Sequence, residues 1–542
     1  MIVSPFKDIE IPKTSIFDFI LPEHQQSNDK TVFIDSTNDN SLTISQLRKY
    51  SLQLAYGLRK HQNVGKGDRV LILTPNSLVY PILFMGTQAA GACVSLANPA
   101  YNYLELSHQI KDSEVSFIFA HPDNIDLTNK ILKEIGWSES KIRERVVSAT
   151  EKSFRNHVSY AHLLCQERQR GIPENFDGES AHDVAITCYS SGTTGVSKGV
   201  MTTHYNMVSN ICQSNNTHSS ASQLTDVVLS FLPLYHIFGL GSTLYTLSQQ
   251  QVPQVLLFRY SLDEFAAAIE KYRVTVSAVI PPILNNILKS DIEKKYDLSS
   301  LRQLGIGATP LGEDLVHSVS EKLGGLTETS PLECKLPLEY TKTHPSYVGR
   351  LVCNTTARLV DENGQDVPGD NKSSGELWVK GPQVMKGYLN RPDATAESMT
   401  SDGFFKTGDI AIYDSKTRLF KVVDRMKELI KYKGFQVTPA PLEALIMSNT
   451  EVMDAAVIGV YDDKQATELP RAYVVPQHAS NFNNEAWCAE IGAWIAGKVA
   501  NHSKLRGGVR TIDSIPKTPA GKILRRHLRT MAAQENGALA KL

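Results

Sequence analysis

Apolar runs alternate with amphipathic stretches along most of this chain, and that alternation predicts its architecture. Leu47, Tyr50, Leu54 and Leu58 recur at three- and four-residue spacing behind Thr43 and Gln46, the pattern of a capped helix with one buried face. GDRVLILTPNS follows, a continuous apolar run closed by turn residues, which predicts a strand buried on both faces. Further strand candidates lie at Val115–Ala120, Val184–Cys188, Val227–Leu232, Val274–Ile280 and Leu301–Ile306. Between them the stretches Leu262–Tyr272, Ile283–Leu288 and Leu311–Leu323 read as amphipathic helices. Strands alternating with helices predict an α/β fold of largely parallel sheets with helices on their faces. From Cys353 the texture changes: TTARLVDENGQDVP and GELWVKG predict hairpin strands around Asn-Gly and Gly turns. Beyond Asp424–Lys427 a separate set of strands (Ala455–Val460, Arg471–Val475) and helices (Leu442–Ser448, Trp487–Val499) predicts a small α+β unit. The expected division is a large region, 1–424, of stacked α/β subdomains plus a β-rich subdomain, and a mobile domain, 425–542, hinged at the join.

At 542 residues the chain exceeds one ordinary domain. A formal net charge of −1 gives no electrostatic footprint for nucleic acid or an anionic membrane. The seven cysteines are scattered without a C-x-x-C pair, which argues for a reducing compartment and against a cysteine-based zinc site. Val79–Ala100, the most apolar long stretch, is interrupted by Thr87, Gln88, Ser95 and Asn98, so it reads as buried helix and strand and not as a membrane span. Acids and prolines occupy MIVSPFKDIEIPK, where a signal peptide needs an apolar core. The tripeptide Ala540–Lys541–Leu542 is a close variant of the S-K-L address, which predicts capture by the peroxisomal import receptor; otherwise the protein is expected in the cytoplasm.

Candidate chemistry centres on Tyr189–Val200, YSSGTTGVSKGV, placed directly after an apolar strand candidate. Small residues let the backbone approach a ligand closely, their N–H and hydroxyl groups can surround phosphate oxygens, and Lys198 adds a mobile positive charge. The run differs from G-x-x-x-x-G-K-[ST], because Gly199 follows the lysine and no hydroxyl stands ready to hold magnesium there. Seven further motifs follow in order: PLYHIFG (233–239), GIGATPLG (305–312), LTETSP (326–331), FFKTGDI (404–410), DRMKELIK (424–431), YKGFQV (432–437) and PKTPAGKILR (516–525). Taken singly, each reads as well as an ordinary loop, a structural histidine or a solvated basic face.

Taken in order, the motifs resemble those of adenylate-forming enzymes, nearest the 4-coumarate–CoA ligase and luciferase branch, over roughly residues 30–530. The resemblance implies an acid–thiol ligase that uses ATP, Mg2+ and CoA. A carboxylic acid attacks the α-phosphate of ATP to give an acyl-adenylate and pyrophosphate, and CoA then displaces AMP. It implies that Ser190, Ser191, Gly192, Thr193, Thr194, Gly195 and Lys198 surround the β- and γ-phosphates. Thr327 joins the nucleotide site, Glu328 helps hold magnesium, and Asp409 and Arg425 take the ribose. Tyr235, His236, Gly305, Gly307 and Ala308 border the acyl pocket, with His236 near the substrate carboxylate. Lys522 reaches the α-phosphate during adenylation; Lys431, Gly434 and Gln436 serve thioester formation; Lys427 is the interdomain pivot. The expected acid is fatty, hydroxy-fatty or cinnamate-like, in fatty-acid or specialised metabolism.

The chain departs from the family in two places. Ser197 stands where proline is usual. More seriously, EKLGG runs directly into LTETSP where the family inserts a Q-G-Y-G turn whose tyrosine lies against the adenine. The link from Pro310 to Thr327 is short by about eight residues, roughly one strand and its turn, so either a neighbouring segment fills in or the chain is a compromised variant. Two other readings therefore stay open on the sequence: a luciferase-like oxidase of an adenylate, and a catalytically impaired nucleotide-binding paralogue.

Overall fold

A computed structural model describes the chain except residues 26, 28, 165–170, 191–196, 218–224, 250–251, 281–282, 285, 288–289, 308–320, 345, 427, 434, 463–464, 466, 479–481, 483, 518–522 and 540–542. The described strands form five sheets. In the largest, strands Val228–Ser230, Gln254–Leu256, Thr31–Asp35, Val276–Val279, Gln303–Gly307 and Glu321–Gly325 run parallel to their neighbours. Its edges turn antiparallel, at Leu332–Leu336 with Arg350–Leu351 on one side and at Ser41–Thr43 on the other. A second sheet centres on Arg69–Leu73, Cys93–Leu96 and Val184–Ser190 in parallel, and ends in the antiparallel strands Lys198–Thr203 and Gly387–Tyr388.

Helices fill the space between these two sheets. Ile44–His61 carries the predicted capping box, Thr43 accepting from the Gln46 amide while Gln46 reaches back, and buries Leu47, Leu54 and Leu58. With Val79–Ala90, His204–Asn216 and Ile237–Gln249 it contributes to one apolar core that also takes Phe33 from the first sheet and Val70 from the second. A third, antiparallel sheet holds Thr356–Val360, Asp370–Lys380, Phe405–Asp414 and Leu419–Arg425. The chain leaves that sheet at Arg425 and enters a smaller set of strands, Ile430–Tyr432 with Phe435–Val437 and the Val452–Asp462, Thr467–Pro476 and Val509–Thr511 sheet. These have their own core, including Ile430, Val457, Val474 and Trp487. The α/β class, the β-rich section and the α+β C-terminal part are as the pattern predicts. No helix among the described residues is long and apolar enough to cross a membrane.

Of the two outcomes that the shortened link leaves open, the described residues show a neighbouring segment filling in. Glu321–Gly325 is itself the strand, parallel to Gln303–Gly307 and antiparallel to Leu332–Leu336. Of the amphipathic helix expected over Leu311–Leu323, residues 311–320 lie outside the described residues and Glu321–Leu323 are strand. An interior strand cannot be removed without stranding the backbone donors and acceptors of both neighbours, and here Glu321–Gly325 pairs with both. Residues 308–320, which carry the rest of the connection, lie outside the described residues, and in sequence only Leu326 separates Gly325 from Thr327, with no aromatic-glycine turn between them.

Candidate functional site

The phosphate-loop run joins two strands that pair antiparallel, Val184–Ser190 and Lys198–Thr203, with Ser190 directly opposite Lys198. Residues 191–196, including Ser191, Gly192, Thr193, Thr194 and Gly195, lie outside the described residues. Gly199 lets the hairpin close, since a Cβ there would stand 2.9 Å from Thr187 Cγ2. The His108 ring meets the Ser197 carbonyl at 2.9 Å and anchors the end of the loop. Lys198 Nζ sits 4.9 Å from the centre of the Tyr388 ring, a cation–π contact that keeps the ammonium at the base of the loop. The Tyr388 hydroxyl donates to Glu328 Oε1 at 3.0 Å, and the Met385 amide donates to the Glu328 carbonyl at 2.8 Å. Thr327 and Glu328 occupy a single 3-10 turn directly after the Glu321–Gly325 strand. A cation, a hydroxyl and a carboxylate are thus assembled where the chain re-enters the sheet at Lys198.

Asp409 and Arg425 are cross-strand partners on Phe405–Asp414 and Leu419–Arg425, with Arg425 Nε 3.0 Å from Asp409 Oδ1. Gly408, at φ +72°, precedes Asp409 within the Phe405–Asp414 strand, and its amide donates to Glu376 Oε1 at 3.1 Å. Asp409 is 6% exposed, so its charge needs the guanidinium beside it. Four carboxylates, Asp409 first and then Glu428, Glu328 and Glu333, hold Arg425 above its usual range and draw the ribose and phosphate candidates into one electrostatic neighbourhood.

On the acyl side, His236 directly precedes the helix Ile237–Gln249, and its Nδ1 accepts the Phe238 amide at 3.2 Å. Burial pushes the imidazole down to about 4, so it works here as a neutral hydrogen-bonding group. Gly305 and Gly307 lie in the Gln303–Gly307 strand, and a Cβ on Gly307 would stand 2.8 Å from the Phe238 ring. The Tyr235 carbonyl lies 3.9 Å from the Cys188 thiol, tying this segment to the strand that leads into the phosphate loop. Ala308 falls outside the described residues.

Lys431 is an exposed residue of the two-stranded ribbon of the C-terminal part, opposite Gln436, and its amide donates to Glu468 Oε2 at 2.7 Å. Next to it Phe435, 54% exposed, stacks on His502 with ring centres 4.7 Å apart. Lys427, Gly434, Lys522 and the side chain of Gln436 lie outside the described residues. Three groups that pattern reading passes over matter to the site. Tyr388 links Lys198 to Glu328. Arg525 joins Glu428, at 2.9 Å from Nε, to Glu443, at 3.1 Å from its second terminal nitrogen, just beyond the Leu419–Arg425 strand. Glu333 is a carboxyl inside an apolar run, PLECKL, and that break in the run is its visible signal. Among the described residues no group of three or more His, Cys, Asp or Glu side chains could hold a metal by itself.

Comparison with known proteins gives these arrangements a context. Residues 23–389 match the family described as AMP-binding enzyme, and residues 441–522 match the AMP-binding enzyme C-terminal domain. The 4-coumarate–CoA ligase-like 9 of Arabidopsis thaliana is 35% identical over 520 residues, covering 94% of this chain and 88% of that protein. The 4-coumarate–CoA ligase 1 of Petroselinum crispum is 33% identical over 546 residues, covering 98% and 96%. Among solved structures, ATP-bound MatB from Rhodopseudomonas palustris superposes with a TM-score of 0.83 at 25% identity, over 95% of this chain and 98% of that one.

Proposed function

The chain belongs to the AMP-binding enzyme family, and we propose that it is an ATP-dependent acid–CoA ligase, forming an acyl-adenylate and then a CoA thioester. The observation that carries this reading is the convergence of Lys198, Tyr388 and Glu328 with the Asp409–Arg425 pair, in a chain that aligns with CoA ligases over 94% and 98% of its length. Retention of the strand before Thr327 favours a working site over an impaired paralogue.

Each residue has a physical task in that scheme. Asp409 accepts the ribose hydroxyls while Arg425 balances its charge. Lys198, held on the Tyr388 ring, offsets charge that grows on the leaving pyrophosphate. Glu328 keeps one oxygen on Tyr388 and presents its carboxylate towards the phosphates, which fits a magnesium ion bound by one carboxylate, phosphate and water. Magnesium would neutralise phosphate charge there. Neutral His236 stands at the acyl side, able to hydrogen-bond a carboxylate without adding charge. Lys522 screens the approach of carboxylate to α-phosphate, and rotation about Lys427 exchanges it for the Lys431 face before the thiol attacks. The acid is fatty, hydroxy-fatty or cinnamate-like. Peroxisomal import through Ala540–Lys541–Leu542 is a second proposal that rests on sequence alone; a fluorescent fusion that stays cytosolic with the tripeptide intact would remove it.

The test is product analysis. Purified protein with Mg·ATP, CoA and a panel of medium-chain, long-chain and cinnamic acids should give equal amounts of AMP and acyl-CoA with its preferred acid. Folded protein that forms neither with any acid would refute the proposal, and oxygen uptake without thioester would point to an oxidase.

A further inference from the structure

Glu333 lies on the edge of the nucleotide site, and none of the tasks assigned to the other residues uses it. In the pairing of Leu332–Leu336 with Glu321–Gly325, Gly325 faces Leu332 and Gly324 faces Cys334. Glu333 is the extra residue between them, the bulged position of that ladder. A bulge breaks the in–out alternation of a strand and re-aims one side chain, and such breaks are enriched beside active sites. Here the bulge puts a carboxyl where the flanking residues of the strand are also buried. Glu333 is 2% exposed, its Oε2 has no hydrogen-bond partner among the described residues, and its carbonyl is fixed by the Val352 amide at 3.0 Å.

The groups acting on that carboxyl come from three other segments: Asp409 on one strand of the β-rich sheet, Arg425 on the next, and Glu328 in the 3-10 turn. The Thr329 hydroxyl is also close, and on its own strand the neighbour is the Cys334 thiol. One guanidinium therefore serves Asp409, Glu428, Glu328 and Glu333 together. Arg425 is already committed to Asp409 at 3.0 Å. Like charges that share a buried site cannot all ionise, and the carboxyl without a cation of its own is the one that takes the proton. Burial, with the Asp409 charge second, pushes Glu333 up to about 8. A carboxylic acid there has an O–H to donate, where a carboxylate would only repel Asp409 and compete for Arg425.

We propose that Glu333 is a positioning residue for the ribose of the bound nucleotide: buried at the bulge with an unpartnered carboxyl oxygen, it steadies Asp409 and Arg425 in the geometry that receives the two ribose hydroxyls. The proposal rests on the reading of Asp409 and Arg425 as the ribose contacts. It acts through those two residues and assigns Glu333 no contact with the reacting phosphate.

Calorimetric titration of the full chain with AMP and with 2′,3′-dideoxy-AMP tests it without any need for the right acid. Glu333→Leu should weaken AMP roughly tenfold, the loss of about one good hydrogen bond, and leave dideoxy-AMP within about twofold of the unmodified protein. Glu333→Gln, which keeps the shape and a donor, should restore AMP affinity to within about twofold. An equal loss for both nucleotides in Glu333→Leu would mean general damage and overturn the proposal, as would unchanged AMP binding. Failure of Gln to rescue would overturn the neutral-donor role. If the unmodified protein discriminates not at all between AMP and dideoxy-AMP, the ribose reading of Asp409 and Arg425 falls first and takes Glu333 with it.

Discussion

Replacing Asp409 by asparagine tests the nucleotide site most sharply, because it changes charge and one donor–acceptor position while keeping shape. Asp409 is buried, opposite Arg425 across two paired strands, with 3.0 Å between Nε and Oδ1. In the proposed nucleotide complex both ribose hydroxyls donate to this carboxylate. A hydrogen bond to a charged group contributes about 1.5–3 kcal/mol. The amide keeps one acceptor oxygen and turns the other position into a donor, so one of the two bonds is lost and the other is weakened. Arg425, half-buried, also loses its counter-charge, though water can reach it. The net loss is about 2–3 kcal/mol, or roughly a 30- to 150-fold rise in KM for ATP. The assay is steady-state pyrophosphate release at saturating acid, with KM for ATP and KM for acid measured separately. KM for ATP should rise in that range, inhibition by AMP should weaken in parallel, and KM for the acid should hold. A KM for ATP within about threefold of the original, in folded protein, would refute the assignment of Asp409 to the ribose.

The remaining predictions address the pocket, the join and the core. Gly307→Ala places a methyl group 2.8 Å from the Phe238 ring, so the ring must move into the acyl side; kcat/KM for the bulkier acids of a panel should fall about tenfold against smaller ones, with KM for ATP unchanged. Arg525→Met leaves Glu428 and Glu443 facing each other without a cation, and chemical denaturation should show a loss of about 3–5 kcal/mol; a loss under about 1 kcal/mol would mean the cluster is wetter than its 8% exposed arginine indicates. His204 is 2% exposed, accepts the Ile16 amide at 3.2 Å and is pushed by burial down to about 3. Its folded value lies below the ordinary 6.5, so the stability it lends is whole above pH 6.5 and drains away as pH falls towards about 3. Thermal unfolding between pH 7 and pH 4 should fall less steeply in His204→Gln than in the original protein, and equal slopes would contradict the assignment.

Elements written in local chemistry are legible along the chain. Thr43 and Gln46 announce the helix they cap, and Leu262–Tyr272 is a helix over the very residues its spacing marks. The Asp409 and Arg425 motifs lie close in sequence and meet because the hairpin between them brings them opposite each other. What is not legible depends on tertiary competition. The amphipathic spacing of Leu311–Leu323 runs straight into EKLGG, and only the need of Gln303–Gly307 and Leu332–Leu336 for a strand between them turns that end extended. Tyr388 is 190 residues from Lys198 in number, in the unremarkable sequence KGYLN, so nothing local marks it as the ring beneath the lysine. The bulge at Glu333 is a property of two strands in register and has no signature in either one alone.

Acid-dependent exchange of labelled pyrophosphate into ATP, without CoA, isolates the step on which the function rests: activation of an acid on ATP in spite of the shortened link. Exchange is expected with a fatty, hydroxy-fatty or cinnamic acid and none without acid. Lys198→Met should lose about 100-fold or more, because the charge facing the leaving pyrophosphate is gone. Folded protein that binds AMP yet exchanges no pyrophosphate with any acid of the panel would contradict an adenylating enzyme.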